Sequence, residues 1–319
     1  MLSALPRVSL LSRPTPFEPM TRIGAHAGHA QLWVKRDDCM PLAFGGNKVR
    51  NLEFWLGQAL EQNSDLLVIA GGTASNQVRL TAAAAVRMGM ECLVLYAGPA
   101  SSPMHSNRLL TEMMGAHIRH LGEVDEVERA RLAHEAVAEL AAAGRRPYLV
   151  GDPTIGALGY IHAAQELHEQ AVAAGIELRH IVLPGSMGVT EAGMILGAAV
   201  LDLPWTFHLV SVEYAAEDLK ARIESILADL CRLLDFRPEN DLLGRTRIHM
   251  DQLGAGYGIP TDASIEASRL FARLEALVLE QTYVAKTFAG LLTCLERGNI
   301  PSHEAACIVH TGGTPSVFS

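Results

Sequence analysis

Leu42-Ala43-Phe44-Gly45-Gly46-Asn47-Lys48-Val49-Arg50-Asn51 is the stretch on which the fold of this chain turns. It follows a short apolar run, Leu32 to Lys35, whose alternation predicts a strand. It precedes Leu52 to Leu60, whose pattern predicts a helix. Two adjacent glycines let the backbone take conformations closed to other residues and come close to a ligand. A lysine directly after them, at a helix start, is an odd place for a surface charge. The helix dipole disfavours a cation there and depresses its pKa, as burial does. Such a lysine can act as a Schiff-base nucleophile or a proton carrier. Read alone, the same residues also describe a solvated lysine beyond a glycine turn.

Working outward, strands and helices alternate. Strands are predicted at Leu66 to Ala70, Glu91 to Tyr96 and His117 to Leu121. Helices follow them at Ser75 to Met88, Pro103 to Met114 and Val124 to Ala143. The Gly- and Pro-containing segment from Arg146 to Gly159 reads as a crossing between two units. Beyond it come strand Ile181 to Leu183, helix Thr190 to Leu201, strand Leu209 to Glu213 and helix Ala216 to Leu234. Residues 235–262 read as irregular or hairpin, followed by helices Ile265 to Glu280 and Thr287 to Arg297 and a closing strand Ala306 to His310. Short apolar strands separated by helices indicate parallel βαβ units. The expectation is an α/β protein of two doubly wound parallel-sheet domains with a ligand cleft between them. The large domain would take residues 1–47 and 155–319, the small one 48–154.

Composition narrows the class. At 319 residues the chain can bury two substantial cores, and 49% apolar against 19% charged residues excludes a disordered protein. A net charge of −9 with no basic stripe argues against nucleic acid. Its five cysteines include no Cys-x-x-Cys pair, so reduced thiols are expected and no metal site. The N-terminus shows no signal-peptide pattern and the apolar segments stop short of a membrane span, so the expectation is a cytoplasmic protein with no membrane partner.

Three further stretches carry chemistry. Gly71-Gly72-Thr73-Ala74-Ser75-Asn76-Gln77-Val78-Arg79 links a strand to a helix start, where Ser75, Asn76 and free amides suit a substrate carboxylate or a ring oxygen. An ordinary N-cap by Ser75 or Thr73 would read the same way. Gly185-Ser186-Met187-Gly188-Val189-Thr190 offers small residues, a hydroxyl and unpaired amides for a phosphate dianion, or simply a tight turn. It is neither a Walker loop nor a dinucleotide fingerprint, which points to a cofactor such as pyridoxal phosphate. The last group is Gly256-Tyr257-Gly258, Tyr283 with Lys286, and His310-Thr311-Gly312-Gly313-Thr314.

As a set these stretches resemble the pyridoxal-phosphate enzymes of the 1-aminocyclopropane-1-carboxylate (ACC) deaminase and D-cysteine desulfhydrase group, of tryptophan synthase β-type fold (fold type II). The resemblance runs from Thr15-Pro16-Phe17 to Thr311-Gly312-Gly313. It includes Lys35-Arg36-Asp37-Asp38, Gly45-Gly46-Asn47-Lys48-x-Arg50, Ser75-Asn76-Gln77-x-Arg79, Gly156-x-x-Gly159-Tyr160 and Tyr257-Gly258-x-Pro260. It implies that Lys48 holds the cofactor and moves protons, with Asn47 and Asn76 beside the ring and Ser186, Met187, Gly188, Val189 and Thr190 forming the phosphate cup. Thr311 would lie near the pyridine nitrogen. Ser75, Asn76, Gln77, Gly156, Tyr257 and Tyr283 would face the substrate, with Ser75 and the tyrosines taking part in catalysis. A homodimer acting on a small amino acid is implied as well.

One departure sets the expected chemistry. The deaminase carries a glutamate after the second tyrosine, placed to pair with the pyridinium nitrogen; Val284 here cannot. A weaker electron sink is then expected, which suits expulsion of a thiolate better than opening of a cyclopropane. The sequence therefore favours α,β-elimination from D-cysteine or a relative, giving pyruvate, ammonia and sulfide. ACC deamination is the alternative within the family. An amino-acid racemase, or a non-catalytic cofactor-binding protein, is the alternative from another class.

Overall fold

A computed structural model describes residues 5–319 of the chain. The strands form two sheets. One has six strands in the order β1 (Phe17–Pro19), β2 (Leu32–Arg36), β10 (Ala305–His310), β7 (Leu178–Gly185), β8 (Thr206–Ser211) and β9 (Thr246–His249). Only β1 runs antiparallel to its neighbour. The other has four parallel strands in the order β5 (His117–Gly122), β4 (Glu91–Ala97), β3 (Leu66–Gly72) and β6 (Pro147–Leu149). The central strands are apolar without alternation: every residue of β10 is buried, as expected where helices cover both faces of a parallel sheet.

Ten α-helices lie among the described residues. They are α1 (Thr21–Ala27), α2 (Lys48–Glu61), α3 (Asn76–Met88), α4 (Ser106–Met113), α5 (Glu126–Ala142), α6 (Pro153–Ala173), α7 (Val189–Val200), α8 (Ala216–Leu233), α9 (Asp262–Glu275) and α10 (Val284–Glu296). One apolar cluster joins the sheets, taking in Leu67, Ile69 and Val94 from the small one and Ile181, Leu209 and Val309 from the large one. No helix is long and apolar enough to cross a membrane among the described residues.

Two segments differ from the sequence expectation. The stretch expected as a crossing holds β6 and then α6, which is 21 residues long. Asp152 caps α6 by accepting from the amides of Thr154 and Ile155 at 2.9 and 3.0 Å, and Pro153 occupies its first turn. Its glycines are contact points: a Cβ on Gly159 would stand 2.4 Å from the Arg50 carbonyl oxygen on α2. Close helix approach, not a turn, is what they permit. Within 235–262, β9 pairs parallel to β8, so the segment is no hairpin. Boundaries also move: the helix expected from Leu52 begins at Lys48, and β8 ends at Ser211, short of Glu213.

Most of the site leaves the C-terminal ends of parallel strands, while Tyr283 and Lys286 lie at the start of α10. The lysine loop follows β2, Ser75 and Asn76 follow β3, the glycine turn follows β7, Glu213 follows β8 and Thr311 follows β10. That is where open α/β sheets place their ligands.

Candidate active site

Lys48 is the first residue of α2, and the loop before it is pressed onto the chain end. Asn47 N–H donates to the Thr311 carbonyl at 2.9 Å, and Gly46 bridges Gly312 in antiparallel fashion. A Cβ on Gly312 would stand 2.5 Å from Gly46 Cα, so only glycine fits this crossing. Ala43 and Phe44 before it carry positive φ of 42° and 66°, a strained conformation for residues with a Cβ. The two glycine pairs, more than 260 residues apart in sequence, thus form one structure.

A buried ionic network anchors α2 beneath the lysine. Arg50 donates to Asp37 at 2.8 and 3.0 Å and to Glu166 at 2.9 and 3.0 Å. Lys35 donates to Glu166 at 2.5 Å and to the Thr15 carbonyl at 2.7 Å, and Tyr160 O–H donates to Asp37 at 2.5 Å. Burial alone would raise both acids. The cations outweigh it, holding Asp37 below the ordinary carboxylate value and Glu166 at about 2. Lys35, Asp37 and Tyr160 therefore position the site from below.

Lys48 itself has a lowered pKa because burial penalises its charge, while Glu191 and Glu213 pull the other way. Among the described residues its ammonium makes no hydrogen bond or ion pair. Asn47 Nδ2 donates to Thr190 Oγ1 at 3.1 Å, tying the lysine loop to the glycine turn.

Ser75 caps α3, its Oγ accepting from Val78 N–H at 3.3 Å. Asn76 Oδ1 accepts from Arg79 at 2.9 Å and Asn107 at 3.0 Å. That fixes the amide so that Nδ2 points away from them, toward Gly313, where a Cβ would stand 3.3 Å from it. Arg79 also donates to the Gly45 carbonyl at 2.9 Å. It is fully buried without a carboxylate partner, and burial lowers its pKa to about 10. Gln77 lies near Gly151, and Gly156 is packed on the Trp55 ring, where a Cβ would stand 2.5 Å from the indole.

In the glycine turn, Gly188 has φ 84° and leads into α7. Ser186 N–H donates to Glu191 at 2.8 Å, and Ser186 Oγ donates to Glu213 at 2.5 Å. Val189 and Thr190 are buried, and Met187 is exposed. Burial raises the pKa of Glu191 although backbone amides favour its charge. The turn therefore already presents its amides and hydroxyl to anionic oxygen.

Tyr257 and Tyr283 meet edge to face, their ring centres 5.6 Å apart and their hydroxyls hydrogen-bonded to each other. Burial raises both phenols, and Glu213 adds to the effect on each. Glu213 is thus the common electrostatic neighbour of Lys48 and both tyrosines. Lys286, fully buried, donates to the carbonyls of Leu253 and Gly256 at 3.0 Å each and so fixes the loop carrying Tyr257.

Sequence reasoning missed Glu191, Glu213, Asn107 and Glu280. Glu280 is 2% exposed and accepts from the amides of Thr282, Tyr283 and Val284 at 2.7 to 2.9 Å. Its Cγ would lie 2.6 Å from a Cβ on Gly313, so it adjoins Asn76 and the chain end. An acid placed shortly before an apolar helix is the signal for such a cap.

The donor set fits pyridoxal phosphate. An unpartnered lysine amine, a fixed amide donor on Asn76, and the amides and hydroxyls at 186–190 are what its aldehyde, ring oxygen and phosphate need. The chain matches a family model described as "Pyridoxal-phosphate dependent enzyme" over residues 8–312. It is 31% identical over 326 residues to a D-cysteine desulfhydrase of Klebsiella pneumoniae (strain 342), covering 100% of this chain and 97% of that protein. A solved ACC deaminase homologue superposes with a TM-score of 0.91 at 29% identity, covering 99% of this chain and 94% of that one. A pyridoxal 5'-phosphate-dependent aspartate racemase shares the fold at a TM-score of 0.68 and 19% identity, covering 94% of this chain and 90% of that one. With its lysine loop, glycine turn and fold in agreement, the chain belongs to the pyridoxal-phosphate dependent enzymes of fold type II.

Proposed function

We propose that this enzyme is a lyase that removes a β-leaving group from a small amino acid, with D-cysteine as the favoured substrate and pyruvate, ammonia and sulfide as products. The observation that carries the proposal is the hydrogen-bonded pair of phenols Tyr257 and Tyr283, which share Glu213 with Lys48 as an acidic neighbour. Elimination needs a base for the α-proton and an acid for the leaving group, roles that a buried lysine with a lowered pKa and a pair of phenols sharing one acidic neighbour can divide between them. The full-length similarity to a D-cysteine desulfhydrase supports the same choice.

Pyridoxal phosphate, when bound, supplies an electron sink for the pair left by the α-proton. Lys48 would hold it and carry the α-proton at Nζ. Ser186 to Thr190 would bind the phosphate, and Asn76 Nδ2 would donate to the ring oxygen. Thr311 would lie at the ring nitrogen. Ser75 and the first amides of α3, with Asn76 and Gln77, would hold the substrate carboxylate. In this proposal the chain divides into a large domain, residues 1–47 and 155–319, and a small one, 48–154. That division is supported by the ranges from which the two sheets draw their strands. A cytoplasmic homodimer is part of the same proposal and rests on the family resemblance.

A second reading is cyclopropane opening, favoured by the likeness to the ACC deaminase homologue and by the buried Glu280 carboxylate beside Gly313. One assay separates the two. The cofactor-loaded protein is offered D-cysteine, L-cysteine, β-chloro-D-alanine and ACC, and keto acid is measured. Pyruvate with sulfide from D-cysteine is expected. Ketobutyrate from ACC without pyruvate from the others would overturn the proposal. Exchange of the α-proton with no keto acid would replace it with a racemase.

A further inference from the structure

On the face of the large sheet covered by α10, three histidines run diagonally across adjacent strands. His180 on β7, His208 on β8 and His249 on β9 follow the register, in which Val182 pairs His208 and Val210 pairs His249. His180 Nδ1 lies 3.0 Å from His208 Nε2, and His208 Nδ1 lies 3.0 Å from His249 Nε2. Cys294 of α10 closes the row, its Sγ 3.5 Å from His249 Nε2. At the other end His180 Nε2 lies 2.6 Å from a Glu304 carboxylate oxygen. The surroundings are apolar: Val182, Val210 and Cys294 belong to the cluster beneath α10. None of these residues belongs to the site at Lys48.

The carboxylate dictates the tautomers. Glu304 only accepts when ionised, so His180 must carry its proton on Nε2 and accept at Nδ1. His208 must then donate from Nε2, which leaves the Nδ1 lone pair facing His249 Nε2. A hydrogen-bond acceptor on the far ring nitrogen, here His180 behind His208 with Glu304 behind it in turn, is the usual support for a metal-bound imidazole. Ligand atoms of His208, His249 and Cys294 all lie within 4.8 Å of one another. A tetrahedral zinc site has edges of about 3.4 Å between nitrogens and about 3.6 Å between nitrogen and sulfur. The 3.0 and 3.5 Å separations here are close to both, and the third edge, from His208 to Cys294, lies within 4.8 Å.

We propose that His208 Nδ1, His249 Nε2 and Cys294 Sγ bind one zinc ion, with His180 and Glu304 behind His208 and a water molecule at the fourth corner. Binding at Nε2 requires the neutral His249 tautomer with its proton on Nδ1, and it displaces the thiol proton to solvent, so one proton is released and no redox change occurs. Burial acts in opposite directions on the histidine and the thiol. It pushes His208 down to about 3, with His249, His180 and Arg247 adding to it, so the ring stays neutral and able to ligate. The Cys294 thiol is pushed up to about 11 and ionises only with a cation beside it. Other charges near the cluster are Asp251 and Arg297, which pair with each other at 2.8 Å. The ion would join β8, β9 and α10, the helix that begins next to Tyr283.

The test uses the cofactor-loaded protein prepared with zinc and dialysed into metal-free buffer. Elemental analysis should give about one zinc per chain. Zinc X-ray absorption should show one sulfur at about 2.3 Å with nitrogens at about 2.0 Å. Cys294→Ser should lose the sulfur signal. Glu304→Gln changes only a partly exposed carboxylate, so it keeps the test open if Cys294→Ser fails to fold, and it should weaken zinc binding about 10- to 100-fold in competition with a chromophoric chelator. Zinc well below one equivalent, a zinc shell without sulfur, or unchanged affinity in Glu304→Gln would overturn the proposal and leave a hydrogen-bonded row of neutral imidazoles.

Discussion

Glu166→Gln tests whether the ionic network beneath Lys48 holds the site in place. Glu166 receives Arg50 on both oxygens and Lys35 on one, and its side chain is 14% exposed. These contacts hold its pKa at about 2 against the ordinary 4.5. The gap corresponds to about 3 kcal/mol of differential stabilisation of the charged form. Glutamine keeps the shape and removes the charge, leaving Lys35 and Arg50 to share Asp37, and breaking a buried pair from one side typically costs about 3–5 kcal/mol. A loss of about 3 kcal/mol near neutral pH is therefore expected, read as a lower urea midpoint at unchanged slope. The pH dependence fixes the sign. The folded pKa is depressed, so the stabilisation is fully present above about 4.5 and is lost as pH falls toward about 2. The difference between wild type and Glu166→Gln should accordingly shrink across that window. Equal midpoints near neutrality, or a difference that stays the same down to pH ~3, would refute the charge account.

Three other substitutions probe the site directly. Lys48→Ala removes the only amine offered to the cofactor aldehyde in this proposal, so the bound-cofactor absorbance shift and all keto-acid release should vanish; a variant with normal turnover would remove the assignment. Lys286→Met leaves two carbonyls unbound under Tyr257, at about 1–3 kcal/mol for an unmet partner. It should slow elimination about tenfold or more, with cofactor absorbance retained, as measured by pyruvate release. Val284→Glu puts a second acid into the apolar cluster within contact of Glu280, since Val284 is 1% exposed and its amide already serves Glu280. Thermal unfolding should show a loss of several kcal/mol, without a gain in ACC opening; improved ketobutyrate release from a stable variant would show that a carboxylate at this position is what the ring lacks.

How much of this was legible depended on whether a requirement is local. The lysine loop, the Ser75 turn and the glycine turn are each set by neighbours in sequence, because glycine freedom, capping and free helix-start amides are properties of a few consecutive residues. Their strand–helix context was readable for the same reason. What failed was long-range. Gly156 and Gly159 read as turn residues because their reason for being small is α2 and Trp55, about a hundred residues earlier. Arg79 was visible as part of a motif, but its work of fixing the Asn76 amide and the Gly45 carbonyl needs α3, α4 and the lysine loop assembled. The grouping of His208, His249 and Cys294 was not legible for the same reason, since its members come from three separate segments.

Val284 shows the limit most clearly. Treating the position after the second tyrosine as the place where an acid belongs makes the sink look weak, because nothing in the sequence says where other carboxylates sit. In the fold, Glu280 lies buried at the start of the same helix and beside Gly313, with Asn76 Nδ2 pointing to the same glycine. Both of its oxygens are engaged by helix amides, which stabilise its charge, while burial raises its pKa. The loss of an acid at one position is therefore not a loss of acid from the site. Whether the carboxylate influences the reaction depends on charge that reaches the ring past those amides, and Glu280→Gln removes the charge while keeping an oxygen for the Tyr283 and Val284 amides and giving up only the Thr282 contact: the helix start should survive it, so a fall in keto-acid release well beyond the loss of stability would have to come from the missing charge.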